Sequence, residues 1–336
     1  MGDFILLTNI IKNIKKKYNN SHITIVCSKL NYNLVKKYKI IDKIFIYNKD
    51  ISFSRKISLI NKIISNNYFA SFAVDGKSFS NLCNLLIKAR YKLGLVYKYK
   101  FFNFWLTKPN FFYNYFVLNK FESFTSKKDL ENIEHLPSKI RFLGNFFKLN
   151  IKTKDKYYFE VSSKEELNFK KYHLKNIKKQ YVLIHLDEKW NDIKFIESKL
   201  FSNLLILQKK INKKIVITSY NNKFKYFKNL NKNILKSKSN NNLVIIKNSN
   251  LFFFERLINH SFCSISCHSG FLAQVAGTNS TKIIDIINKN DYKWYSCWIP
   301  KNTVHKFIFK SNNNNFFSID KIFKNLSIQI KSFKSF

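Results

Sequence analysis

FCSISCHSGFLAQVAG (residues 262–277) is the stretch that decides the fold. Residues 262–267 read as a short strand, Ser-Gly follows, and a helix of small residues opens at Gly270. A strand passing directly into a helix in this way is the turn of a βαβ unit. Ser269 can cap the helix, and Gly270 lets a ligand approach the backbone closely. The unpaired N–H groups and the dipole at the helix start suit a phosphate or diphosphate. Taken alone, the same residues also describe an ordinary Ser-capped helix.

The pattern repeats on both sides of this turn. KIIDII (282–287) follows it; LVIIK (243–247), KIVITS (214–219) and YVLIHL (181–186) precede it as strand candidates. Helical spacing is expected over 195–211, 251–259, 270–276 and part of 221–242. The first half alternates in the same way, with strands at 22–28, 41–48, 69–76 and 93–96 and helices at 6–18, 34–38, 55–65 and 80–91. Such alternation predicts an α/β fold with parallel, doubly wound sheets. Residues 98–124, rich in aromatics and without a clean period, read as loops and short pieces, and 131–149 as a helix. The polar, Lys-rich passage 151–179 holds the expected boundary, between domains 1–165 and 166–336. A last helix, 319–330, is expected to pack back on the N-terminal domain. Two such domains in tandem predict a cleft between two sets of strand C-termini, where ligands of open α/β sheets bind.

Composition narrows the classes. With 336 residues the chain has material for two cores, and no apolar run reaches the roughly 20 residues needed to cross a bilayer. No secretory signal opens the sequence, so a cytoplasmic location is expected. Five cysteines, an odd number, suit a reducing compartment better than a disulfide framework. The net charge of +40 is almost all Lys, with Arg55, Arg90, Arg141 and Arg256 the only arginines. Together with heavy use of Asn, Ile, Phe and Tyr, it reads as the imprint of an AT-rich genome. Dedicated nucleic-acid binding is not expected. Peripheral attraction to an anionic membrane face fits better.

Two further places carry chemistry. Asp187-Glu188-Lys189-Trp190 follows the YVLIHL strand, where Lys189 can reach a phosphate and Trp190 can anchor the next helix; a solvated turn is the plain alternative. Gly2-Asp3 opens the chain before a basic helix, and a carboxylate there is either a cap or a general base. His260, Cys263, Cys267 and His268 resemble metal ligands in composition. However, Cys263 and Cys267 on one strand lie about 13 Å apart, and zinc needs its sulfurs within about 4 Å. No metal and no cofactor is expected. Asp-x-Asp, Walker A, Gly-x-Ser-x-Gly and Gly-x-Gly-x-x-Gly are all absent.

Taken in order, these signals resemble glycosyltransferase family 9, the lipopolysaccharide heptosyltransferase family. GDFILLTN with its basic helix and SHITIVCS is similar to the family's opening. YVLIHLDEKWND resembles its strand leading to a Lys-Trp element, and NLFFFERLINHSFCSISCHSGFLAQVAGTNSTKIIDI resembles its Asp-Ser/Thr-Gly-x-x-His-x-Ala-Ala stretch. FAVDGK and ENIEHLPSKIRFLGNFFKLNI are weaker echoes. The resemblance implies a GT-B fold, two Rossmann-like domains facing a cleft, and an inverting, metal-independent transfer of a heptose-like sugar. The donor would be a nucleotide-activated sugar and the acceptor a glycolipid or oligosaccharide of a surface glycan. It casts Asp3 as general base, Lys189 as a neutraliser of donor phosphate, and Ser269 and Gly270 as the diphosphate seat. His268 stands where the family has Asp and Ala273 where it has His, with Gln274 the nearest polar stand-in. His268 is then expected as a cation near the diphosphate. The resemblance also places a central strand ahead of Gly2-Asp3, so two strand edges are expected to face a gap in the first domain. These departures motivate an alternative from another class, a GT-B scaffold without turnover.

Overall fold

The computed structural model describes residues 2–48, 50–73, 78–101, 104–107, 115–121, 143–149, 151, 157–160, 162–176, 181–219, 224–237, 242–247, 250–278, 281–296, 298–299, 303–312 and 315–333. The chain divides into two compact units, residues 1–160 and 161–336, and the division falls just ahead of the helix at Ser163–Asn176.

The first unit runs α1 (Gly2–Lys17), β1 (Thr24–Ser28), α2 (Lys29–Val35), β2 (Lys43–Tyr47), α3 (Phe53–Ile64), β3 (Asn67–Ala73), α4 (Ser78–Leu86), β4 (Lys88–Phe101), β5 (Phe104–Thr107) and β6 (Tyr115–Phe121). Helix α1 buries Phe4, Ile5, Leu6, Thr8, Asn9, Ile10 and Ile11, so its first turns are covered nearly all round. The Thr8 hydroxyl satisfies itself on the Ile5 carbonyl at 2.7 Å. The strands form two sheets. β1 pairs β2 in parallel, while β3, β4 and β6 are parallel and β5 returns antiparallel on β4. Among the described residues no ladder joins β1 to β3.

Several expectations change here. The helix expected over 80–91 ends at Leu86, and β4 begins at Lys88. The described residues within 98–124 form the end of β4 and all of β5 and β6. Aromatic residues as a class favour strands, and the antiparallel return of β5 on β4 removes any simple period. Of the helix expected at 131–149, the described part is a 3₁₀ turn at Leu143–Phe147; residues 131–142 lie outside the described residues.

The second unit runs α5 (Ser163–Asn176), β7 (Tyr181–Leu186), a 3₁₀ turn (Glu188–Trp190), α6 (Ile196–Ile211), β8 (Lys214–Ser219), α7 (Phe227–Lys236), β9 (Leu243–Lys247), α8 (Leu251–His260), β10 (Cys263–Ser266), α9 (Gly270–Thr278), β11 (Lys282–Asn288), α10 (Tyr292–Ser296), β12 (His305–Asn312), β13 (Asn315–Phe316) and α11 (Ile319–Ser332). Its sheet has the order β13-β12-β11-β10-β7-β8-β9, parallel except for β13. Every residue of β7 is buried, as are Ile215 and Ile217 on β8, Ile265 on β10, and Ile284 and Ile286 on β11. Continuous apolar runs of this kind belong to strands covered on both faces. α11 buries Ile319, Ile322, Phe323, Leu326 and Ile330 against α6 and β12, within this unit's own core. The winding starts at β7, goes out through β8 to β9, then returns to β10 on β7's other side. β7 and β10 are therefore the switch point of a doubly wound sheet.

Candidate functional site

The switch point brings two of the sequence motifs together. β7 and β10 are hydrogen-bonded neighbours, with His185 opposite Ser266, so the turns that follow Leu186 and Ser266 leave the same end of the sheet side by side. The first turn is rigid. Asp187 caps it, its Oδ1 accepting the Lys189 amide at 3.1 Å. Trp190 is fully buried and donates its indole N–H to the His185 carbonyl at 2.9 Å. Lys310, on β12 and itself buried, donates to the Lys189 carbonyl at 2.6 Å.

From this turn the Lys189 ammonium reaches the second one, donating to the His268 carbonyl at 2.9 Å. His268 is left-handed, with φ of 53°, a conformation that costs a non-glycine residue about 1–2 kcal/mol. Its ring explains how the turn holds. Nδ1 lies 2.8 Å from Asp285 Oδ2, and the imidazole stacks on Tyr295 at 3.7 Å between centroids. Lys189 Nζ lies 5.8 Å from the centre of the same Tyr295 ring.

Ser269 and Gly270 divide the work at the start of α9. The Ser269 amide donates to Ser266 Oγ at 3.0 Å, and its hydroxyl accepts the Leu272 amide at 3.3 Å. Ser269 is thus a helix cap in the ordinary sense. Gly270 is exposed, a side chain built there would meet nothing within 4 Å, and among the described residues its amide has no backbone partner. The open part of the helix N-terminus is therefore at Gly270. Gln274 is buried in α9 and donates to the Trp298 carbonyl at 3.1 Å. Asp3 lies in the first turn of α1, in the other unit.

Four members of the constellation escaped the sequence reading: Asp285, His305, Tyr295 and Lys310. Asp285 sits mid-strand with no exposed surface. Burial alone would raise its pKa, but His305 and His268 outweigh it and hold the carboxyl well below the usual carboxylate range. A charge inside KIIDII was the available signal, since a buried carboxylate requires partners. Burial pushes Asp187 up to about 6, against the opposing charges of Lys189 and Lys310. His185, on β7, is pushed down to about 4 by burial and bonds Thr218 at 3.1 Å, which marks a core histidine. Burial also raises Cys263 to about 12 and Cys267 well above its ordinary value. Cys267 stands just beyond the end of β10, and both cysteines lie in the hydrophobic core. Among the described residues no group of three His, Cys, Asp or Glu side chains is arranged to hold a metal ion.

No protein-family profile matches the chain, and no curated protein matches it by sequence. Solved structures match it along nearly its whole length. A glycosyl transferase family 9 protein from Veillonella parvula aligns with a TM-score of 0.65 and 11% identity, covering 98% of this chain and 94% of that one. The E. coli heptosyltransferase WaaC with ADP gives 0.59 and 12%, covering 98% and 97%. A putative UDP-N-acetylglucosamine 2-epimerase from Listeria monocytogenes gives 0.56 and 10%, covering 98% and 85%. At such identities the likeness speaks for architecture: the chain has the α/β fold of the GT-B type, as in the family 9 glycosyltransferases.

Proposed function

We propose that the chain is an inverting, metal-independent glycosyltransferase that moves a heptose-like sugar from a nucleoside diphosphate to a surface-glycan acceptor. The observation that carries this reading is the meeting of Lys189, His268 and the open Gly270 amide at the β7–β10 switch point. In such a transfer an acceptor oxygen bonds the anomeric carbon as the bond to the diphosphate oxygen breaks. The electron pair stays on the departing diphosphate, whose growing charge must be met by fixed donors. Lys189 supplies a cation and Gly270 an amide at the positive end of α9. Asp3 is assigned the acceptor proton, on the resemblance of the chain's opening. WaaC, a structure of the same fold, was solved with ADP, which supports a nucleoside diphosphate as ligand.

A glycolipid acceptor fits the surface of the first unit. Phe53 and Ile57 on α3 and Leu82, Leu85 and Leu86 on α4 are exposed, with Arg55 and Lys62 on the same helix as the first pair. Apolar side chains beside cations suit peripheral contact with an anionic membrane. No described helix is long and apolar enough to cross one.

The alternative, a GT-B scaffold without turnover, is favoured by the internal satisfaction of Ser269, whose amide and hydroxyl are both engaged within the turn. Titrating the protein with ADP- and UDP-sugars, followed by turnover assays of wild type and Asp3→Asn, separates the two. The transferase reading expects donor binding in both proteins and turnover lost in the variant. Donor binding without turnover in wild type supports the scaffold, and no binding of any nucleoside diphosphate defeats the transferase.

A further inference from the structure

We propose that Asp285 is a positioning residue that orients His268 so that, when a diphosphate binds, the ring becomes an imidazolium whose Nε2–H faces the departing diphosphate; this rests on the donor site proposed above. The transfer itself does not require this carboxylate. Asp285 lies between Ile284 and Ile286 in the middle of β11, and all three are buried. A charge in such a place persists only where donors surround it. Three do. His268 Nδ1 lies 2.8 Å and His305 Nε2 3.0 Å from Oδ2, and Ser266 donates to Oδ1 at 3.3 Å. Ser266 also accepts the Ser269 amide, so the carboxylate organises the turn that carries His268 as well as its ring.

The bond to Asp285 fixes the proton on Nδ1 and turns Nε2 to the opposite edge of the ring, while the Tyr295 stack fixes its plane. A neutral imidazole in this pose would offer a lone pair at Nε2, which a diphosphate repels. A protonated one offers an N–H. A dianionic ligand beside the ring and a carboxylate behind it both favour the charged form. Donor binding is therefore coupled to uptake of a proton at His268. During transfer the acceptor oxygen–carbon bond forms, the carbon–diphosphate bond breaks, and the leaving oxygen keeps the electron pair. The acceptor proton goes to the base. His268 keeps its own proton and stabilises the new charge through the Nε2–H bond.

The other ionisable groups near the ring do not supply this behaviour. Lys189 is on the His268 carbonyl, and Lys310 is bonded to the Lys189 carbonyl. Tyr295 and Cys267 are pushed upward by burial and remain neutral near pH 7. Burial pushes Asp187 up to about 6, so it is ionised at the pH of the test below, and His305 approaches the Asp285 oxygen from β12.

The test is calorimetric binding of ADP and UDP at about pH 7.5 in buffers of different ionisation enthalpy, which counts protons taken up on binding. Three proteins are compared: wild type, His268→Asn and Asp285→Asn. Asn is chosen at 268 because it tolerates the left-handed backbone. Wild type is expected to take up a proton, and affinity is expected to fall as pH rises above the imidazole range. His268→Asn loses the uptake and about tenfold in affinity. Asp285→Asn keeps His268 but moves the upper limb of the pH profile down by about one pH unit or more, the usual effect of removing an opposite charge. Binding without proton uptake in wild type, or uptake that survives in His268→Asn, overturns the assignment while leaving the donor site standing. Absence of any diphosphate binding by wild type overturns both. If Asp285→Asn fails to fold, the His268→Asn comparison still decides.

Discussion

Replacing Glu255 by Gln is expected to stabilise the second unit at alkaline pH and to do little at acid pH. Glu255 lies on α8 and is 4% exposed. Its carboxylate bonds the Asn259 side chain and sits 3.3 Å from Arg256 Nη1, whose Nε is engaged by Glu166 at 2.7 Å. Burial exceeds the help from Arg256 and Asn259, and the carboxyl is pushed from its ordinary 4.5 up to about 7. A folded-state pKa raised above the unfolded one means the group favours folding below about 4.5, and this advantage is lost as pH rises through about 7. At about 1.4 kcal/mol per tenfold change in proton affinity, ionised Glu255 costs the fold about 3 kcal/mol at pH 8 and about 1 kcal/mol at pH 5. Gln keeps the shape and the neutral state at every pH. Urea unfolding followed by tryptophan fluorescence in a Trp105→Phe background reads the second unit, because the other three tryptophans, Trp190, Trp294 and Trp298, belong to it. The expected result is a gain of about 2–3 kcal/mol for Glu255→Gln at pH 8, shrinking to about 1 kcal/mol or less at pH 5. A loss of stability at pH 8 would show that the Arg256 pairing dominates burial and would refute the reasoning.

Two further outcomes rest on the same unit. Trp190→Ala is expected to cost about 3–5 kcal/mol, since it removes a fully buried ring and leaves the His185 carbonyl without its donor; a loss below about 1 kcal/mol, measured by denaturant unfolding, would show the turn is not anchored through the indole. Cys263 and Cys267, buried and with thiols pushed far upward, are expected to resist iodoacetamide at pH 8 until denaturant is added. Mass-spectrometric mapping of either residue in the first labelled fraction of native protein would contradict that placement.

What the sequence made legible was whatever is local. β7, β8 and β9 fall on the residues expected, because YVLIHL, KIVITS and LVIIK are short apolar runs that only a doubly covered sheet can bury. Lys189, His268, Ser269 and Gly270 were equally visible, since a strand-turn-helix junction is written in consecutive residues. β12 was missed: HKFIFKSN puts lysines among its apolar residues, and only the fold shows Lys310 buried with its ammonium on a turn carbonyl. β4 was cut short because Lys88-Ala89-Arg90-Tyr91 satisfies a helical pattern as well as an extended one. Asp285, His305 and Tyr295 join His268 through the lateral order of strands and a short helix behind them. Nothing in residue spacing encodes that order, so the ion-paired half of the site is a property of the folded sheet alone.

The turn after β7 is fastened at both ends and in the middle, by Asp187, by the Trp190 indole and by the Lys310 ammonium. A lysine on a free loop would lose backbone and rotamer freedom when an anion arrived, and part of the attraction would be consumed in ordering it. Lys189 has given up its backbone freedom at folding, and its side chain is already drawn toward the neighbouring turn. An arriving polyanion therefore meets a preorganised charge, and the entropic penalty of assembling that charge belongs to the folding of the protein rather than to each encounter.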